Sequence, residues 1–412
     1  MFDIKATLIR WASKTIHIDT DYLVRGSFWQ SLGLLTGTLA GIATSIAFAN
    51  ILPKETYGTY SYVLSLFGLL SITALSGMDT AIVQSVARGF EGSVITSMWS
   101  RIRWGFIGMV ISVGIGIYEW INGNIGLSYA LFLAAGFVPF LDSFAIFYDV
   151  LKGRKRFDTD AKFSIIVQTI NAGATILALF ITKNILSILA IYFLSYTLCH
   201  IFLLRRLMKN YPLNRNEDPK MIGYGKFMTI IRGITSISAY IDKIILFHFV
   251  GAAEVAVYSL AIAPITKISG LLGTIPSLAL PRFSERGKDL VKKELMGKVM
   301  KFSLVVGGII LLYALFSKFI FLLLFPKYLE SVFYSRLYSL ALVGFPLSLV
   351  YTYFQAHMLA KIILPYKIII HTIQILLLFV CIYFYGILGA VIARITGQVI
   401  GIPLILFFFK KS

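Results

Sequence analysis

About twelve stretches of roughly twenty mostly apolar residues, separated by short turns rich in charge, Gly, Asn or Pro, fill almost the whole chain. A bilayer core ~30 Å thick is crossed by ~20 helical residues at ~1.5 Å rise, so each stretch is long enough to span it. They run near 26–51, 58–80, 104–121, 125–149, 161–182, 185–204, 227–250, 255–280, 302–325, 334–356, 365–385 and 387–409. With 412 residues shared among twelve spans, no connection can house a water-soluble domain. Composition agrees, because 58% apolar with 14% charged residues leaves too little polar surface to coat a soluble globule. The sequence predicts an all-α integral membrane protein. It excludes a disordered chain, a collagen-like repeat and a disulfide-rich secreted scaffold.

The two cysteines, Cys199 and Cys381, sit in separate apolar runs, and the five histidines are scattered singly. No metal or cofactor site is expected from them. The first 21 residues carry Lys5, Arg10 and Lys14 but also Asp19 and Asp21. No apolar core with a small-residue cleavage site follows, so a surface-lying helix is expected there and not a removable signal.

Lys and Arg number 38 against 19 Asp and Glu, a net charge of +19. Outside the spans they cluster at alternate ends. About 29 lie on one set of ends, among them Arg154, Lys155, Arg156, Lys292 and Lys293, against five on the other: Lys54, Lys183, Lys318, Lys327 and Arg336. Basic residues favour the cytoplasmic side, so both termini are expected there, in a multi-pass protein of the cytoplasmic membrane. Topology and anionic lipid headgroups explain the basic charge, and no nucleic-acid partner is expected.

The chain carries traces of an internal duplication. Tyr60-Ser61 and Tyr258-Ser259 follow corresponding turns 198 positions apart, and the same offset carries Arg88-Gly89 onto Arg286-Gly287. Ile165-Ile166-Val-Gln168-Thr169-Ile170 matches Ile368-Ile369-Ile-His371-Thr372-Ile373 at an offset of 203. Because six crossings is an even number, the copies would share one orientation and be related by a pseudo-two-fold axis along the membrane normal. The expected division is an N-terminal interfacial segment 1–21, an N-lobe 22–207, a linker 208–226, a C-lobe 227–409 and a tail 410–412. Small-residue runs in spans 1 (Gly33, Gly37, Gly41, Ser45), 3 (Gly108, Ser112, Gly116) and 12 (Gly389, Ala393, Gly397, Gly401) mark tight helix packing.

Span 7 places Arg232, Ser236, Tyr240 and Lys243 on one helical face opposite a row of isoleucines, with the two charges about 16 Å apart along the axis. Each such charge costs about 2.5–3.5 kcal/mol at mid-bilayer, so the stripe is expected to face a wet cavity. Lys267 in span 8, where Pro264 and Pro276 should bend the helix, and Arg394 with Gln398 in span 12 extend the set. Two carboxylates, Asp142 and Asp242, lie well inside spans, so a cavity holding these four bases would be cationic and suited to an anion. The alternatives are that Asp242 pairs with a base only to hold helices together, and that long basic side chains snorkel to the interface. Arg25 is either a residue of the cavity mouth or a topology marker.

Several segments resemble a known family: Ala49-Asn-Ile-Leu-Pro-Lys-Glu-Thr-Tyr-Gly58-Thr-Tyr60, Val150-Leu-Lys-Gly153-Arg-Lys-Arg-Phe157, Tyr240-Ile-Asp242-Lys243-Ile-Ile-Leu, Val257-Tyr258-Ser-Leu-Ala261 and Tyr385-Gly-Ile-Leu-Gly389-Ala390-Val-Ile-Ala393. They are similar to the polysaccharide (Wzx-type) flippases of the multidrug/oligosaccharidyl-lipid/polysaccharide (MOP) exporter superfamily. The resemblance implies a two-lobed, twelve-helix transporter that moves polyprenyl-diphosphate-linked oligosaccharide from the inner to the outer leaflet. It also implies a glycan polymerase or other polysaccharide-assembly protein as partner. Asn50 stands where that family often has a basic residue. A cation-coupled multidrug exporter, with Asp142 and Asp242 as coupling groups, and a membrane glycan polymerase or ligase are the competing readings. The short outer connections carry no catalytic constellation that would favour an enzyme.

Overall fold

The computed structural model describes residues 20–411; the expected surface helix at 1–21 falls almost wholly outside them. All regular structure among the described residues is helical. Ten crossings follow in order: α1 (Thr20–Ile51), α2 (Lys54–Ala74 continued by Met78–Ala87), α3 (Ser93–Ile121), α4 (Ile125–Gly153), α5 (Phe157–Ile181), α6 (Ile185–Asn210), α7 (Met221–Phe249), α8 (Ala252–Ser284), α9 (Lys288–Leu324) and α10 (Ser331–Ala356). The last helix, Ala360–Lys411, is interrupted at Gly386, whose φ of 54° and ψ of −128° turn the chain back, and so supplies two crossings, α11 (360–385) and α12 (387–411). Among the described residues, nine helices are long and apolar enough to span a bilayer without further argument, and the bent pair in α2 makes ten. The halves of the last helix and α7, whose internal charges lower its hydropathy, complete the twelve expected.

The duplication is visible in where helices break. The second crossing is bent by 49° between Ala74 and Met78, and its counterpart α8 is interrupted at Gly273. An offset of 198 carries Leu75, which takes a left-handed conformation at φ 56°, onto Gly273. The fourth crossing of each half is also broken: α4 between Phe137 and Phe147, α10 by a 3-10 stretch from Leu340 to Leu347. Pairing repeats as well. In the N-lobe α1 packs on α5, α3 on α4, and the second piece of α2 on that of α4; in the C-lobe α7 packs on the α11–α12 unit, α9 on α10, and the second piece of α8 on that of α10. The small-residue runs lie at such contacts: Gly37 faces Gln168, Gly116 faces Phe132, and Gly397 faces Gln374.

Three apolar cores explain the shape. At the end poor in basic residues a single core crosses between lobes, joining Phe48, Tyr57 and Tyr62 of the first to Leu246, Tyr258, Phe321 and Tyr328 of the second. Toward the basic end the core divides. One part belongs to the N-lobe around Ile82, Phe147 and Leu203, the other to the C-lobe around Leu295, Tyr353 and Ile405. The lobes are therefore fused at the basic-poor end and cored separately at the other. Polar contacts reinforce the fused end: Asn50 donates to the Leu324 carbonyl at 3.0 Å, Lys327 donates to the Asn50 carbonyl at 2.6 Å, and Lys54 pairs with Glu330 at 2.5 Å. Gly58 sits so close to the Ala252 carbonyl that a Cβ would overlap it.

The interlobe connection is shorter than the expected 208–226, because α6 runs to Asn210 and α7 begins at Met221. It is docked on the N-lobe. Arg154 grips Glu91 at 2.6 and 2.7 Å and donates to the carbonyls of Tyr211 and Pro212, while Asp218 pairs with Arg88 and accepts from Ser85.

Candidate functional site

The bend in α2 begins the site. It leaves Ser76–Asp79 at the start of a new helical piece, with Asp79 in its first turn, where a carboxylate suits the positive end of the helix. Gly77 permits close approach of the lobes here, since a Cβ would overlap the backbone of Met228 and Thr229 on α7, and its N–H donates to Thr229 Oγ1 at 3.1 Å. One helical turn along α7, Arg232 reaches across and forms an ion pair with Asp79. The same guanidinium donates to the Ser76 carbonyl at 3.0 Å and to Thr80 Oγ1 at 3.1 Å. From the other side Arg101 of α3, buried, holds Asp79 at 3.2 Å and Asp149 of α4 at 3.5 Å.

These groups line a cavity of about 440 Å³ between the lobes. Asp142, Tyr148 and Lys152 of α4, Thr235 and Ser236 of α7 and Lys367 of α11 complete its polar wall. The cations are Arg101, Lys152, Arg232 and Lys367, the carboxylates Asp79, Asp142 and Asp149. The balance is four to three, a lower positive excess than the sequence suggests. Asp79 and Asp149 stand at the ends of their spans and so escaped the count of intramembrane acids. Lys152 and Lys367 read as topology markers for the same reason.

Only some of the expected binding residues line this cavity. Arg232, Ser236 and Asp142 line the one just described. Tyr240 and Lys267 face the other lobe: the Tyr240 ring lies over Gly68 of α2, and the Lys267 ammonium occupies the space a Cβ on Gly41 of α1 would fill. Neither Lys243 nor Lys267 has an ion-pairing carboxylate among the described residues. Arg394 and Gln398 belong to the interior of the C-lobe. Arg394 donates from Nε to Asp242 Oδ2 at 3.1 Å and from Nη2 to the Ser238 carbonyl at 2.8 Å, and Tyr258 donates to the same Asp242 oxygen at 2.7 Å. Asp242 is 1% exposed and its acceptors are saturated, so it and Arg394 form a tie among α7, α8 and α12 and do not belong to the central cavity. Gln398 packs against Gly344 of α10. Arg25 lies in α1, its side chain outside the described residues.

A family model described as polysaccharide biosynthesis protein matches residues 23–286, more than half of the chain. The chain belongs to that family. The resemblance read from the sequence is borne out, and the matched region runs from α1 past the broken α8, taking in all of the cavity's lining except Lys367. Solved structures with the same fold include a lipid II flippase, MurJ, in an inward closed conformation, with 16% identity, 93% of this chain and 87% of that one covered, and a TM-score of 0.68. An inward-facing multidrug resistance MATE transporter of the MOP superfamily shares 14% identity over 91% of this chain and 95% of its own, with a TM-score of 0.58. A MOP superfamily transporter from Pyrococcus furiosus, described by the reversed polarity of its binding pocket, shares 15% identity over 94% and 95%, with a TM-score of 0.56. No curated protein matches the chain. The likeness to these structures shows the fold, and the expected architecture of two six-helix lobes stands.

Proposed function

We propose that the protein flips a polyprenyl-diphosphate-linked oligosaccharide from the inner to the outer leaflet of the cytoplasmic membrane for cell-surface polysaccharide assembly. The observation that carries this reading is Arg232: a half-exposed guanidinium at the seam between lobes, lining a polar cavity on the side where their cores are separate. A diphosphate is the natural competitor for it, since phosphate oxygens accept charge-assisted, bidentate hydrogen bonds from guanidinium. Lys152 and Lys367 on the cavity wall supply further positive charge. Membership in a polysaccharide biosynthesis family supports a glycan head, and the basic end facing the cytoplasm supports loading from that side.

Asp79 gives the cycle its switch. It is held by Arg232 of one lobe and Arg101 of its own. A diphosphate that takes Arg232 leaves Asp79 satisfied by Arg101, so loading exchanges one partner of Arg232 for another without leaving the carboxylate unpaired. The lobes then rock about the cavity to expose it on the other side. An inside-negative potential favours outward passage of the head by about 2.3 kcal/mol per charge per 100 mV. Lys267 at Gly41 would meet the phosphates on the α1–α8 side of the seam, while the prenyl tail stays in lipid.

The second reading is a cation-coupled exporter of cationic compounds, favoured by the three carboxylates in the cavity and by the MATE fold likeness. Reconstitution into liposomes with a fluorescent polyprenyl-diphosphate sugar separates the two. Wild-type protein should move the glycolipid and Arg232→Gln should slow it by about tenfold or more, the loss expected for a charge-assisted contact. Export of cationic dyes with no glycolipid movement would overturn the assignment.

A further inference from the structure

A second cavity, of about 280 Å³, lies at the fused end, lined by Ile51, Leu52, Pro53, Lys54, Lys183, Lys327 and Tyr328. Only five basic residues fall on the basic-poor ends of the crossings, and three of them meet here. Topology does not explain their position, because basic residues on that side work against the orientation the rest of the chain sets. Lys54 opens α2 and Lys183 lies in the turn between α5 and α6, both in the N-lobe, whereas Lys327 lies in the turn between α9 and α10 of the C-lobe. Their compensation is incomplete: Lys54 pairs with Glu330, Lys327 donates to the Asn50 carbonyl, and Lys183 has no partner among the described residues. Glu55 is a further acid close by.

We propose that this pocket binds the phosphate of an anionic lipid headgroup from the leaflet on that side, and that the bound phosphate holds the lobes closed there. The ligand chemistry follows from the lysines, which match phosphate oxygens as point charges. Three apolar walls, Ile51, Leu52 and Pro53, and the ring of Tyr328 favour a headgroup with its chains beside it over a free ion. The consequence for the cycle follows from the seam. Parting the lobes at this end draws Lys327 away from Lys54 and Lys183, so a ligand held by all three binds the closed arrangement better and shifts the population toward it. Anionic lipid then acts as a reset signal, returning the transporter to the form open toward the basic end. The inference does not depend on what the central cavity carries.

Hydrogen–deuterium exchange of the full chain in nanodiscs tests it. Residues 51–57 and 325–331 are followed in phosphatidylcholine, in phosphatidylcholine with phosphatidylglycerol, and in phosphatidylcholine with added pyrophosphate. Phosphatidylglycerol should slow exchange in both segments by about tenfold when it exceeds its Kd tenfold. Lys183→Gln, which breaks no contact within the protein, should abolish the slowing, Lys327→Gln should do the same, and Lys361→Gln at the basic end should leave it intact. No slowing by phosphatidylglycerol, or equal slowing in wild type and Lys183→Gln, overturns the proposal. Pyrophosphate alone matching phosphatidylglycerol overturns the lipid assignment in favour of a free phosphate.

Discussion

Arg232 of α7 and Asp79 of α2 form an ion pair that joins the two lobes, and the same carboxylate is held by Arg101 within its own lobe. Asp79 therefore competes with any anion that enters the cavity. Asp79→Asn is expected to tighten binding of a short-chain polyprenyl diphosphate by about two- to fivefold, the worth of a partly exposed ion pair. Isothermal titration calorimetry in detergent reads this directly, and weaker binding in the variant would contradict the competition.

Breaking the Arg394–Asp242 tie should destabilise the C-lobe without touching the cavity. Removal of one partner from a buried pair costs about 3–5 kcal/mol, so Arg394→Met should lower the thermal midpoint clearly. The double variant Arg394→Met, Asp242→Asn should recover much of that loss. Equal midpoints for wild type and Arg394→Met would show that the tie is not structural.

Closure at the fused end depends on a missing side chain. Gly58→Val forces branched carbons into the Ala252 carbonyl, an overpacking expected to cost about 1–3 kcal/mol and to hold the lobes apart there. A cysteine pair at positions 54 and 330, placed in the native background and in Gly58→Val and treated with a short bis-maleimide long enough to replace the Lys54–Glu330 contact, should crosslink rapidly in the first and slowly in the second.

Linker docking should respond to acid. Hydrogen bonds from Arg154, aided by the Asn214 N–H, hold the Glu91 carboxyl below its ordinary value of 4.5. A depressed value in the folded state means the contribution is fully present above the unfolded value and is lost as pH falls through the folded one. Docking of 211–220 should thus be constant from neutral pH to about 4.5 and weaken below it. Exchange across that segment checks the window, and Glu91→Gln should reduce the acid dependence to the part carried by Asp218, which Arg88 and Ser85 hold in the same docked segment.

Crossings and lobes were legible because apolar length and the 198–203 repeat are one-dimensional signals. The bends were less so: Pro264 and Pro276 mark α8, which breaks between them at Gly273, whereas nothing in Gly-Met-Asp at 77–79 marks α2 as sharply. The site was harder. Period alone put Arg232, Tyr240 and Lys243 on one face, yet which charge meets which depends on neighbours far along the chain. Arg101 and Asp149 are 48 positions apart, and Arg394 lies 152 from the Asp242 that neutralises it. Charges at span ends, such as Asp79 and Lys367, look like interface residues until a bent helix carries them inward.

The shared core at the basic-poor end has a further physical meaning. In water, prising Phe48 and Tyr62 away from Leu246 and Tyr258 would expose oil to solvent at ~25 cal/mol per Å². Within a bilayer, acyl chains can wet those surfaces, and the hydrophobic penalty for separation nearly vanishes. Lipid would thus ease any parting of the lobes at that end, and such a movement should be harder once the protein is stripped of lipid.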